Sequence, residues 1–123
     1  MSNEKLAGSR ILIVEDEYYL ADDARSLLSA AGAEVLGPVP TIAAASALIE
    51  AEPTIDCVLL DVNLRGEFAF DMADDLDRRA IPYVLVTGYD RSALPDRFTD
   101  KPTLRKPVAP NALLAAFREI ETI

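Results

Sequence analysis

The 123-residue chain contains no histidine and one cysteine, so any chemistry must be done by carboxylates, hydroxyls and lysine. Histidine is the commonest general base and the commonest transition-metal ligand, and both uses are closed here. The remaining candidates are the run Glu15-Asp16-Glu17, Asp61, the pair Thr87-Gly88, and Lys106. Clustered carboxylates without nitrogen or sulfur ligands suit a hard cation. Mg²⁺ fits best, because it is held through one or two carboxylates, waters and a phosphate. A carboxylate is also a competent nucleophile towards phosphorus, where the remaining work is placement and charge neutralisation. In such a site Mg²⁺ takes one phosphoryl oxygen, the Lys106 ammonium a second, and the Thr87 hydroxyl with a backbone N–H a third. Gly88 leaves the approach to Asp61 free of a side chain. Without the metal Glu15, Asp16 and Asp61 repel one another, which raises their pKa values. Each residue also has a plain structural use: Asp61 as a turn or cap residue, Glu15 to Glu17 as first-turn acids favoured by a helix dipole, Thr87 in a turn, Lys106 on the surface.

The elements around these residues decide whether they can meet. Cys57 to Leu60 is a continuous apolar run of the kind found in strands buried on both faces, and it delivers Asp61 to its end. Arg10 to Val14 is a β-branched apolar run that ends in the three acids. Leu20, Ala24, Leu27, Leu28 and Ala31 then share one helical face, which Gly32 terminates. Glu34 to Leu36 reads as a second strand closed by Gly37 and Pro38, and Thr41 caps a helix that turns Ile42, Ala45 and Ile49 inward until Pro53. After Asp61, Leu64 to Glu67 reads as a loop turning at Gly66, followed by a helix lined by Ala69, Met72, Ala73 and Leu76. Ile81 to Val86 is the fourth strand, ending at Thr87, and Thr103 to Arg105 the fifth, ending at Lys106-Pro107. Leu113, Phe117 and Ile120 give the last helix its apolar face. Between them Tyr89 to Pro102 is irregular; Pro95 and Pro102 leave room for a short helix only, and a mobile segment is expected. Strands alternating with helices predict an α/β fold, a doubly wound five-stranded parallel sheet with helices on both faces. In open α/β sheets ligands bind outside the carboxyl ends of the strands, where all the candidate residues fall.

One domain spanning residues 1–123, with a core from about 10 to 121, suits the length. A hydrophobic fraction of 50% with 27% charged residues is globular. No apolar run approaches the roughly 20 residues of a membrane helix, and the first residues lack a basic segment followed by an apolar one, so no membrane partner is expected and the cytoplasm is the default location. Cys57, in its apolar run, reads as a buried thiol. A net charge of −9 opposes association with phosphate backbones, which argues against nucleic acid as a partner.

Val14-Glu15-Asp16-Glu17, Leu60-Asp61-Val62-Asn63, Val86-Thr87-Gly88 and Lys106-Pro107, in that order, resemble the receiver domain of two-component response regulators. The resemblance covers the chain from about Arg10 onward. It implies a flavodoxin-like sheet of order 2-1-3-4-5, with Asp61 as phosphoacceptor, Asp16 as a direct Mg²⁺ ligand, Glu15 acting through water, and Asp61 with the Asn63 carbonyl completing the protein's share of the metal shell. It implies that Thr87 and Lys106 bind the phosphoryl group and that the Lys106–Pro107 bond is cis. Receivers usually carry Tyr or Phe three residues before the lysine, as a ring that follows the threonine; here Thr103 stands there. Pro82 to Tyr89 resembles instead the Phe-Ala-Thr-Gly-Tyr variant, with Leu85 and Val86 in place of its Phe and Ala, so Tyr89 is the candidate for part of the ring's switching role. On this reading Tyr89 to Phe98 orders when Asp61 is phosphorylated.

The function so implied is a stand-alone phosphorylation switch. With no histidine in the chain, the donor is a partner histidine kinase or histidine phosphotransfer protein, and output passes to a protein effector. Catalysis is limited to the domain's own phosphorylation and dephosphorylation. A receiver that shuttles or drains phosphate is a variant of this reading. The competing enzyme reading, a haloacid dehalogenase type phosphatase, needs Asp-x-Asp-x-Thr after the first strand, whereas Asp61-Val62-Asn63-Leu64-Arg65 lies after the third and lacks the second Asp and the Thr. A receiver-like binding module that is never phosphorylated predicts loss of a key acid or the lysine, and none is lost.

Overall fold

The computed structural model describes residues 6–89 and 93–121. In chain order they form β1 (Arg10–Val14), α1 (Tyr18–Ala30), β2 (Glu34–Val39), α2 (Ile42–Ala51), β3 (Cys57–Asp61), β4 (Asn63–Leu64), β5 (Glu67–Phe68), α3 (Phe70–Arg78), β6 (Tyr83–Thr87), β7 (Thr103–Arg105) and α4 (Pro110–Glu121). Five strands make one parallel sheet in the order β2-β1-β3-β6-β7, which is 2-1-3-4-5 when its strands alone are counted. No helix of the described residues is long and apolar enough to cross a membrane.

The sheet is covered on both faces, and the alternation of side chains along its strands assigns each residue to a layer. Leu12, Val14, Val58, Leu60 and Leu85 pack with Ala45 and Ile49 of α2 and with Met72, Ala73 and Leu76 of α3. Their neighbours Ile11, Ile13, Cys57, Leu59, Val84 and Val86 pack with Ala24 and Leu28 of α1 and with Leu113 and Phe117 of α4. Every residue of β3 and β6 is buried, which is why these strands read as unbroken apolar runs. Thr41 caps α2 as expected, its hydroxyl accepting the Ala44 N–H at 3.1 Å.

Three connections differ from the sequence expectation. The second strand does not stop at Leu36 but runs through Gly37 and Pro38 to Val39, with a register shift against β1. Proline is tolerated because β2 is an edge strand, and Gly37, at φ +85°, lets the chain bulge and rejoin so that the Val39 carbonyl accepts the Glu15 N–H at 3.0 Å. The loop after Asp61 is a small antiparallel ribbon of β4 and β5. Its two-residue tip, Arg65 and Gly66 with φ of 54° and 87°, has the positive backbone angles that tight hairpins require. The fourth strand begins at Tyr83, two residues later than expected, because Pro82 has no donor to give the ladder.

The connection from β6 to β7 holds a 3₁₀ turn at Asp96–Phe98. Residues 90–92, which belong to the stretch expected to be mobile, lie outside the described residues. The remainder is tied down. Phe98 is fully buried, and Arg97 makes two hydrogen bonds of 2.9 Å to Asp74 on α3. Lys101 Nζ lies 3.1 Å from Asp77 Oδ1.

Candidate functional site

Strand register brings the polar ends together. Val14 lies beside Leu60, so the residues that follow, Glu15 and Asp61, are neighbours at the carboxyl edge. Asp61 lies beside Val86, and Thr87 beside Arg105, which puts Thr87 and Lys106 next in line. The Lys106 N–H donates to the Thr87 carbonyl at 2.8 Å, fixing the lysine's backbone to the end of β6. The Lys106–Pro107 bond is cis, as the resemblance implies.

Lys106 is the hub of the cluster. Its Nζ lies 2.9 Å from Asp61 Oδ2 and 3.5 Å from Glu15 Oε2, and it also contacts the Glu17 carboxylate. Asp61 is 2% exposed and Glu15 4%, so both carboxylates have lost most of their water. The other Asp61 oxygen, Oδ1, accepts the Asn63 N–H at 3.1 Å, and Glu15 Oε2 accepts the Glu17 N–H at 3.0 Å. Burial, more than anything else, pushes the Glu15 carboxyl up to about 8; its hydrogen bond to Asp61 and that residue's charge act the same way, against the Glu17 N–H and Lys106. Burial pulls the Lys106 ammonium down, but its bonds to Glu17 and Asp61 outweigh this and hold it above its ordinary range.

Glu15, Asp16 and Asp61 each offer an oxygen within 4.8 Å of the others. Three carboxylates with no nitrogen or sulfur among them form the donor set of a hard cation, and Lys106 brings only one positive charge to them. The chemistry of the donor set therefore fits Mg²⁺. Thr87 is buried, with its Oγ1 accepting the Tyr89 N–H at 2.9 Å. Tyr89 is 45% exposed, and its hydroxyl accepts from Asn63 Nδ2 at 3.4 Å, so it lies at the mouth of the cluster. Glu15, Asp16, Asp61, Asn63, Thr87, Tyr89 and Lys106 thus fall at one edge of the sheet.

A scan of protein-family models and a search of curated proteins found no match. Solved structures did match. SdrG from Sphingomonas melonis Fr1 is 36% identical with a TM-score of 0.81, over 94% of this chain and 98% of that one. A receiver domain protein described as CheY-like, from Methanospirillum hungatei JF-1, is 26% identical with a TM-score of 0.81, over 94% and 95%. The chain belongs to the response regulator receiver family. The response regulator PhyR from Brucella abortus is 26% identical with a TM-score of 0.81, over 98% of this receiver but 51% of its own chain. SdrG is also known in a BeF3-activated conformation, from Pseudomonas melonis Fr1, at 38% identity and a TM-score of 0.77, over 89% and 93%.

Sequence reasoning missed two contacts of this receiver's site. Glu17 passes as a first-turn acid, yet its side chain reaches Lys106 from the residue preceding α1. Arg65, at the ribbon tip, brings its Nε within 4.0 Å of Asp16 Oδ2. The third acid of the run was the available signal for Glu17, since a single lysine facing a cluster of acids is shared among them. Nothing in the sequence pointed to Arg65, because its approach depends on the ribbon.

Proposed function

We propose that the protein is a phosphorylation switch in which Asp61 accepts a phosphoryl group from a histidine kinase or histidine phosphotransfer protein, with Mg²⁺ held by Glu15, Asp16, Asp61 and the Asn63 carbonyl. The observation that carries this reading is the pairing of a buried Asp61 with Lys106 at 2.9 Å inside a triad of carboxylates. Bound Mg²⁺ supplies positive charge for the phosphoryl oxygens and relieves repulsion among the acids. An Asp61 oxygen attacks phosphorus, forming the acyl-phosphate bond as the donor's bond to phosphorus breaks and its electron pair leaves with the donor. Lys106 then exchanges its hold on the carboxylate for a phosphoryl oxygen, and Thr87 donates its hydroxyl to another. Tyr89 covers the mouth and takes part in the switch. One receiver unit of about 10–121 performs this in the cytoplasm, without a nucleic-acid or membrane partner, and hands the signal to a protein effector.

Incubation with acetyl phosphate and Mg²⁺, followed by intact mass, tests the reading. The expected product carries one labile phosphoryl group, and Asp61→Asn carries none. Rapid release of free phosphate without an adduct would point to a phosphatase, and no adduct under any condition to a binding module. Labelling of Asp61→Asn to the parent extent would remove the central assignment.

A further inference from the structure

Position 103 is a threonine and carries no ring, which leaves room for a second way out of the site besides Tyr89. The structure offers a continuous one on the side of the ribbon. Asp61 Oδ1 accepts the Asn63 N–H at 3.1 Å, and Asn63 Oδ1 accepts the N–H of Gly66 at the tip at 2.7 Å. Asn63 also pairs with Phe68 across the ribbon. The Phe68 ring stacks on Phe70 at the start of α3, with centroids 5.6 Å apart and planes 4° from parallel. Phe70 in turn stacks on Phe98 at 5.4 Å and 19°. Phe98 is the fully buried anchor of the 3₁₀ turn in the β6–β7 connection, and the Arg97 guanidinium lies over its ring at 4.5 Å while bonded to Asp74.

We propose that the stack of Phe68, Phe70 and Phe98 carries the phosphorylation signal from the ribbon after Asp61 to the connection at residues 93–102. This rests on Asp61 being the phosphoacceptor. The reason lies in the first bond of the chain. An ionised Asp61 gives Asn63 a charge-assisted acceptor, and an acyl phosphate leaves in its place a neutral carbonyl or ester oxygen, a much weaker one. The same step withdraws Lys106 from Oδ2. Asn63 therefore loses the bond that sets the ribbon's first pair while its side chain remains tied to Gly66. The ribbon consists of two residue pairs, and the half-exposed Phe68 is held by its stack on Phe70 beside the Ala69 N–H to Val62 carbonyl bond of 2.8 Å. A shift of the ribbon must either drag the stack or break it. Stacked rings in contact transmit this because an offset pair is attractive beyond its buried area, so each ring tends to follow its neighbour. Phe98 and Arg97 then pass the displacement to the connection and to its tie on α3.

The test compares the parent protein with Phe70→Leu and Phe68→Leu, which keep an apolar side chain but remove one ring. The half-exposed position of Phe68 makes the second variant safe for folding. BeF3⁻ with Mg²⁺ serves as the phosphoryl mimic, backbone amide shifts of Thr87 and Lys106 report occupancy at Asp61, and amide exchange over residues 93–102 reports the connection. In the parent both should respond. In the variants the shifts at Thr87 and Lys106 should persist while the response at 93–102 falls roughly two- to thirty-fold, the range over which such networks couple. An unchanged response at 93–102 in both variants, or none there in the parent despite shifts at Thr87 and Lys106, would overturn the route alone. Absence of shifts at Thr87 and Lys106 in the parent would sink the phosphoacceptor reading itself.

Discussion

Removing Mg²⁺ should leave the folded receiver with a stability that falls as pH rises through neutrality, opposite to the usual behaviour of paired surface carboxylates. The cause is Glu15, 4% exposed and raised from an ordinary 4.5 to about 8, chiefly by burial and then by its bond to Asp61. A carboxyl whose folded pKa exceeds its unfolded value holds more protons in the native state between the two. Its stabilising contribution is complete below 4.5 and is lost progressively as pH climbs through about 8. At about 1.4 kcal/mol per unit, a rise from 4.5 to about 8 corresponds to at most about 5 kcal/mol. That is a large part of the roughly 5 to 15 kcal/mol that holds a typical domain together. Among the described residues no other group with a resolved shift competes in this window. Lys106 and Tyr83 are raised from 10.5 and 10.0 and act only in alkali, while Asp74 is lowered from 3.8 by its bonds to Arg97 and acts only in acid. Urea unfolding in EDTA across the window, repeated in excess Mg²⁺, is the assay. Stability should drop towards the alkaline end in EDTA by roughly 2 to 5 kcal/mol, and Mg²⁺ should restore most of it there while doing little at the acid end, where protons compete for the same oxygens. Glu15→Gln should flatten the EDTA curve. A parent curve in EDTA that stays level or rises between those limits would refute the account of Glu15 as a carboxyl held against its charge.

The other expectations follow from single contacts. Lys106→Met strips the ammonium from two buried carboxylates and should cost roughly 2 to 4 kcal/mol in EDTA near neutral pH, with partial recovery in Mg²⁺; a loss no larger in EDTA than in Mg²⁺ would mean the lysine is not compensating charge. Asp16→Ala should weaken Mg²⁺ binding and phosphorylation while making the metal-free protein slightly more stable, by less than about 1 kcal/mol, since it removes one of the clustered charges; Mg²⁺ titration followed by amide shifts decides it. Gly37→Ala places a Cβ 2.9 Å from the Val39 N and 3.0 Å from the Ile13 carbonyl at a φ of +85°, and should cost more than about 1 kcal/mol by urea unfolding, with a neutral result excluding the bulge.

What the residues determined by themselves was the frame and the identities at its edge. Apolar runs closed by Asp61, Thr87 and Lys106 must bury their bodies and expose their ends. Helical spacing with Thr41 as a cap placed α1 to α4, and the order of strands and polar ends carried the family resemblance. All of that is local pattern, in which each residue constrains its neighbours along the chain. Tertiary structure decided the contacts whose partners are far apart in sequence. Glu17 and Lys106 stand 89 residues apart and meet only because β1 and β7 end on the same edge of the sheet. Edge position let β2 continue through Gly37 and Pro38, where the sequence alone predicts a stop. The ribbon after Asp61 escaped notice because two-residue strands are too short to show alternation, and the stack of Phe68, Phe70 and Phe98 because one ring sits on the ribbon, one on α3 and one on the β6–β7 connection. Repulsion among the acids already predicted a raised Glu15 pKa, but the main cause of the rise belongs to the same class. Burial sets it more than any neighbour does, and burial depends on how the layers close over the end of β1, which no pattern within residues 10–17 records.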